Sequence, residues 1–95
     1  MILSPDCTTS LQIAVGAASV PFVSTMAAGS FWIFVSSTAC WIKQGAGTPV
    51  ATAGALSMYV PANTIIVIDG KAGANLAVIQ DAAGGKASLT RALTF

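Results

Sequence analysis

From Cys7 to Ile42 the chain runs thirty-six residues (7 through 42) without one Asp, Glu, Lys or Arg. Such a stretch is either a membrane segment or part of a fold that turns little of itself toward water, and its composition separates the two. A spanning helix needs about 20 predominantly apolar residues. The best window, Leu11 to Gly29, is interrupted by Gln12, Gly16, Ser19, Pro21, Ser24 and Thr25. Pro21 would fall in mid-helix, and the β-branched Val15, Val20, Val23 and Thr25 are weak helix formers. A secretory leader needs a basic segment ahead of its apolar core, yet residues 1–42 hold no Lys or Arg and a single acid, Asp6. The same lack leaves nothing to set a cytoplasmic end. The stretch reads as strands packed against protein, with a small membrane protein as the competing class.

The whole chain shares this poverty of charge. Its seven charged residues are Asp6, Lys43, Asp69, Lys71, Asp81, Lys86 and Arg91, which is 7% against about 25% in ordinary soluble domains. A net charge of +1 gives no basic face for nucleic acid, which is bound by displacing counterions. The length of 95 residues suffices for one domain, 1–95, with a modest core. A surface of this size normally relies on charge for solubility. Much of it is therefore expected to be covered by further copies of the chain, as a homodimer or homotrimer whose interfaces resemble a core cut into pieces. The apolar composition excludes a disordered chain.

The residue pattern is β throughout. Leu11, Ile13 and Val15 alternate with Gln12 and Ala14, as on a half-buried strand. Val20 and Phe22 extend around Pro21, which suits an edge strand or a bulge. Phe31-Trp32-Ile33-Phe34-Val35 is apolar on both faces, so one face belongs to the core and the other to a subunit interface. After Ser36-Ser37-Thr38, residues Ala39 to Lys43 read as the returning strand, and Gln44 to Pro49 as a flexible loop. Val50 to Gly54 is a weak extended piece. Ser57 to Val60, Thr64 to Ile68, Asn75 to Gln80 and Lys86 to Arg91 are further strands, separated by turns at Pro61-Ala62-Asn63, Asp69 to Ala74 and Asp81 to Gly85. About eight short antiparallel strands with regular turn signals point to an all-β domain, a small β-sandwich of jelly-roll-like form.

Chemistry has little to work with. The absence of histidine removes the commonest general base, triad partner and metal ligand. Asp69-Gly70 and Asp81 to Gly85 are turn signals, because Asp and Gly tolerate turn dihedrals. Calcium would want six to eight oxygens, several of them carboxylates, and Asp69 with Asp81 falls short. Gln44-Gly45-Ala46-Gly47 lacks the helix and the Gly-Lys-Ser/Thr of a phosphate loop. Cys7 and Cys40 have no neighbouring base to lower a thiol pKa. They read as reduced, buried small hydrophobes, with a Cys7–Cys40 disulfide as the alternative. No catalytic residue, cofactor site or metal site is assigned, and an enzyme is not expected. Without basic residues among them, Phe31, Trp32, Phe34 and Trp41 do not make a base-stacking platform. They are the candidate core and interface residues, and a glycan contact by Trp32 or Trp41 is the alternative.

Several segments occur together in a recognisable order. They are Cys40-Trp41-Ile42-Lys43-Gln44-Gly45, Pro49-Val50-Ala51-Thr52-Ala53, Ser57-Met58-Tyr59-Val60-Pro61-Ala62, Leu76-Ala77-Val78-Ile79-Gln80 and Gly84-Gly85-Lys86-Ala87-Ser88-Leu89-Thr90. Their order and spacing resemble small β-sandwich proteins encoded in the structural-gene clusters of tailed phages and prophages. The resemblance spans residues 38–91; residues 1–37 share only their lack of charge and their β character. It implies a virion protein of the head decoration, or cement, type. Such a protein would be made in the bacterial cytoplasm and mounted on the capsid surface as a symmetric oligomer against the major capsid protein. Head-fibre, tail and receptor- or glycan-binding roles, or a holin-like membrane protein, are the competing readings. The long apolar Phe31–Val35 run departs from that family's pattern and suggests a different oligomer interface.

Overall fold

The computed structural model of the chain describes residues 3–22 and 26–94, and the side chains of 10–22 and 26–92. The described residues form eight strands and no helix. In chain order they are β1 (Leu3–Val15), β2 (Val20–Pro21), β3 (Phe31–Ser36), β4 (Cys40–Ala46), β5 (Met58–Val60), β6 (Ile66–Asp69), β7 (Ala74–Gln80) and β8 (Gly85–Thr94). Two four-stranded sheets stack on each other, with strand orders β1-β8-β3-β6 and β2-β7-β4-β5. Every pairing is antiparallel.

Those two orders contain one rule. The chain pairs with itself from its ends inward, β1 with β8, β2 with β7, β3 with β6 and β4 with β5. The four ribbons go alternately into the first and second sheet, and this rolled arrangement is a jelly roll. A protein with no helix and eight strands closes its core by such a roll, because each sheet is apolar on one face only. The all-β sandwich expected from the sequence is the observed fold.

Connectivity differs from the local reading. Among the described strands only β4 and β5 are both consecutive in sequence and hydrogen-bonded neighbours. Residues from Cys40 do not return beside β3; they cross to the second sheet and pair with β7 and β5. The turns at Asp69 to Ala74 and Asp81 to Gly85 likewise carry the chain between sheets instead of closing hairpins. β4 also runs on through Gln44-Gly45-Ala46, opposite Leu76, Asn75 and Ala74, where a flexible loop was expected. Gly45 permits this, because a β-carbon there would lie 3.3 Å from that of Pro49. Residues 50–54 form no strand beyond a single bridge between Thr52 and Ala55.

The core lies between the sheets. Trp32, Phe34 and Leu89 from the first sheet meet Ile42, Leu76 and Val78 from the second. Along β3 burial alternates strictly, with Trp32, Phe34 and Ser36 inward and Phe31, Ile33 and Val35 half-buried on the outer face. The charge-free stretch is thus chiefly a supplier of core: it contributes Val15, Phe22, Met26, Trp32, Phe34, Cys40 and Ile42. Pro21 sits on the edge strand β2, where a missing N–H costs no sheet hydrogen bond.

Candidate interaction surface

Among the described residues the large apolar side chains left in solvent are Val50, Leu56, Met58, Tyr59, Ile65 and Val67, all within residues 50–67. Scattered exposed hydrophobics are ordinary; a contiguous group marks an interaction surface. The topology makes this group contiguous. β5 and β6 are the edge strands of the two sheets, joined directly by residues 61–65, so they border the same open side of the sandwich. Leu56 leads into β5, Met58 and Tyr59 lie on it, Ile65 leads into β6 and Val67 lies on it. Val67 stands opposite Ile33 of β3. The apolar surface therefore continues from the open edge onto the outer face of the first sheet, beside Phe31 and Val35.

Between the edge strands a cleft of about 220 Å³ opens toward the core, lined by Ile42, Gln44, Met58, Ile68 and Leu76. Its polar member is already engaged, since Gln44 Nε2 donates to the Asp69 carbonyl at 3.0 Å. The loop before it is anchored by buried Pro49 and Ala51. The Ala51 amide donates to Ser19 Oγ at 2.9 Å, and the Thr52 amide to Ser57 Oγ at 3.0 Å. With those inward contacts made, Val50 and Leu56 are left pointing outward. Leu56 is 88% exposed.

The four residues singled out from the sequence do not share one face. Trp32 and Phe34 are in the core, 2% and 0% exposed, and cannot touch a partner in the folded chain. Phe31 and Trp41 are half-buried on the outer faces of different sheets. Trp41 packs edge-on against Tyr59, its cross-strand neighbour, with ring centroids 5.3 Å apart, and its Nε1 donates to Asp81 Oδ1 at 3.0 Å. The 50–67 surface was missed, although a signal for it was present. Ile65-Ile66-Val67-Ile68 is apolar at every position, the same two-faced pattern as Phe31–Val35, and the two runs pair with each other.

The polar residues form no reactive cluster. Among the described residues no three of His, Cys, Asp and Glu come together. Asp69 and Asp81 sit beside opposite ends of β4, near Gln44 and Trp41 respectively. Asp69 pairs with exposed Lys71 at 3.5 Å, a contact too solvated to contribute much. Cys40 is a buried free thiol. Burial pushes its pKa up, opposed by a hydrogen bond with Ser36, so the nucleophilic thiolate is disfavoured. The side chain of Cys7 lies outside the described residues. No helix among the described residues is long and apolar enough to cross a membrane. Comparison with protein-family models, curated proteins and solved structures returns no significant match.

Proposed function

We propose that this chain is a structural protein of a tailed-phage virion, a capsid decoration module that stabilises the head lattice as a homo-oligomer. The observation that carries this reading is the apolar surface along the β5–β6 edge, on a jelly roll with only seven charged residues in all. Such a surface is suited to permanent contact with protein. The role is mechanical and involves no catalytic step. Each copy covers a junction between major capsid subunits and buries apolar area there, at about 25 cal/mol per Å² before association costs. Repetition over a lattice multiplies a modest footprint, because a multivalent contact is lost only when all its sites release. The order of motifs over residues 38–91 supports the virion context.

Mass spectrometry with copy counting on virions from the host that carries the gene tests the proposal. Hundreds of copies per particle is the expected result. A dozen or fewer would place the chain in the tail or at the portal, and none would refute a virion role. A receptor- or glycan-binding module is the second reading, favoured by one feature: Trp41 and Tyr59 present aromatic edges beside the Asp81 carboxylate on an outer face. Binding on a glycan array that Trp41→Ala abolishes would establish it in place of the cement role.

A further inference from the structure

Leu56 combines two features that a folded chain rarely tolerates together. It is a leucine at φ 53°, in the left-handed region that favours glycine or asparagine, and its side chain is 88% exposed. Backbone strain that displays an apolar side chain to water stabilises nothing within the single chain, and strain of this kind concentrates at functional sites. Two residues further on, Met58 forms one wall of the apolar cleft shared with Ile42, Ile68 and Leu76. The exposure of Leu56 shows that it does not fill that cleft itself. At about 220 Å³ the opening is larger than the roughly 150 Å³ apolar cavity that admits benzene, so a leucine side chain fits.

We propose that two copies of this chain associate about a two-fold axis, each inserting Leu56 into the other's cleft between β5 and β6. A knob and a hole lying side by side on one patch are both satisfied by a single two-fold operation, and the assembly then closes at two. The surroundings suit a second copy. Ile65, Val67 and Tyr59 flank the contact with apolar surface. The ionic groups on this edge, Asp69 and Lys71, are already paired within the chain, so two copies meet without facing like charges. β6 also presents a free backbone edge with Ile66, Val67 and Ile68, the type of edge that pairs with another chain unless blunted. The inference deepens the decoration reading by naming the self-contact, and selects a dimer over a trimer.

Sedimentation equilibrium of the purified full chain, beside Leu56→Asn and Met58→Glu variants, tests this. Asparagine accepts the left-handed backbone and removes only the knob. The wild type is expected to be a dimer. Leu56→Asn is expected to keep the β-type circular dichroism and melting of a folded chain. Each buried leucine contributes roughly tenfold or more to association and symmetry removes two, so dimer affinity should fall at least about a hundredfold. Met58→Glu, acting on the cleft wall, should do the same. A wild type that is monomeric or trimeric, or a Leu56→Asn dimer of unchanged affinity, would overturn the inference. Virion copy counting reports independently: a dimer absent from virions sinks the decoration reading alone, and a monomer abundant in virions sinks the dimer alone.

Discussion

Residue-scale chemistry in this protein consists mostly of satisfying the few polar atoms that the fold buries. The indole of Trp32 is in the core, and its Nε1 donates to Ser30 Oγ at 2.9 Å. The Ser30 hydroxyl in turn donates to the Ala27 carbonyl at 2.6 Å, and the Ser30 carbonyl accepts from the Gly70 amide at 2.7 Å. Gly70 has no alternative here, because a β-carbon would overlap the Ser30 hydroxyl. Replacing Ser30 with alanine leaves a buried indole N–H without a partner, a loss of about 1–3 kcal/mol. Urea denaturation should show that loss in Ser30→Ala, and a smaller loss when Trp32→Phe is already present, since the orphaned donor is then gone. Equal losses in both backgrounds would mean that the hydrogen bond contributes nothing. Cys40 gives a pH prediction of definite sign. Burial raises its pKa in the folded chain, so below the unfolded value both states hold the proton and stability does not depend on this group. Above about 8.5 the unfolded chain releases its proton while the folded chain keeps it, and stability falls as pH rises. Thermal melts of wild type and Cys40→Ala should therefore run parallel between about pH 6 and 8 and converge at higher pH.

At the scale of elements, β2 is the most dependent on tertiary contact. It has two residues, Val20 and Pro21, and one of them cannot donate a hydrogen bond. What holds it is the residue that follows. Phe22 is fully buried, meets Phe34 of the opposite sheet edge-on at 6.3 Å, and donates its amide to the Leu76 carbonyl at 2.9 Å. Phe22→Ala should cost about 3–5 kcal/mol, a large part of the 5–15 kcal/mol typical of a whole domain. Hydrogen exchange should show the Val20 amide losing protection before those of β4 and β7; simultaneous loss everywhere would show that β2 is no separate unit. The elements themselves were legible in the sequence because alternation and turn residues are local signals. Leu11, Ile13 and Val15 take the inward positions that their alternation predicts, and Pro21 sits on an edge. Pairing was not legible. Ser36-Ser37-Thr38 and Asp81 to Gly85 look like hairpin turns, yet each carries the chain across the sandwich, and no local residue encodes the sheet in which the next strand lands. The interface went the same way. Phe31–Val35 drew attention as the longest aromatic run, but half of it turned inward. Ile65 to Val67 and Leu56 became visible as surface only once β5 and β6 were placed at an open edge.

For the whole molecule, the single chain is already as compact as a monomer of its mass should be. Its accessible surface is 4930 Å², against about 5,000 Å² expected from mass, and its radius of gyration of 12.3 Å matches the roughly 12.4 Å of a compact chain. Self-association therefore covers a finished surface and does not complete a missing core. A standard interface takes about 800 Å² from each partner, about one-sixth of that surface. This sets the expected thermodynamics. The proposed contact is made by Leu56, Met58, Tyr59, Ile65 and Val67, and the described ion pair of that edge is internal and exposed. Raising salt from about 0.1 M to about 1 M shortens the screening length from about 10 Å to about 3 Å, which weakens contacts made by charges and leaves apolar burial intact or strengthened. Dimer affinity should hold steady or rise across that range, and isothermal dilution should return a heat-capacity change of the sign that apolar burial requires, negative on association. A steep loss of affinity with salt would move the contact elsewhere, to the faces that carry Lys43, Lys86 and Arg91, and with it the surface that the chain turns toward its neighbours.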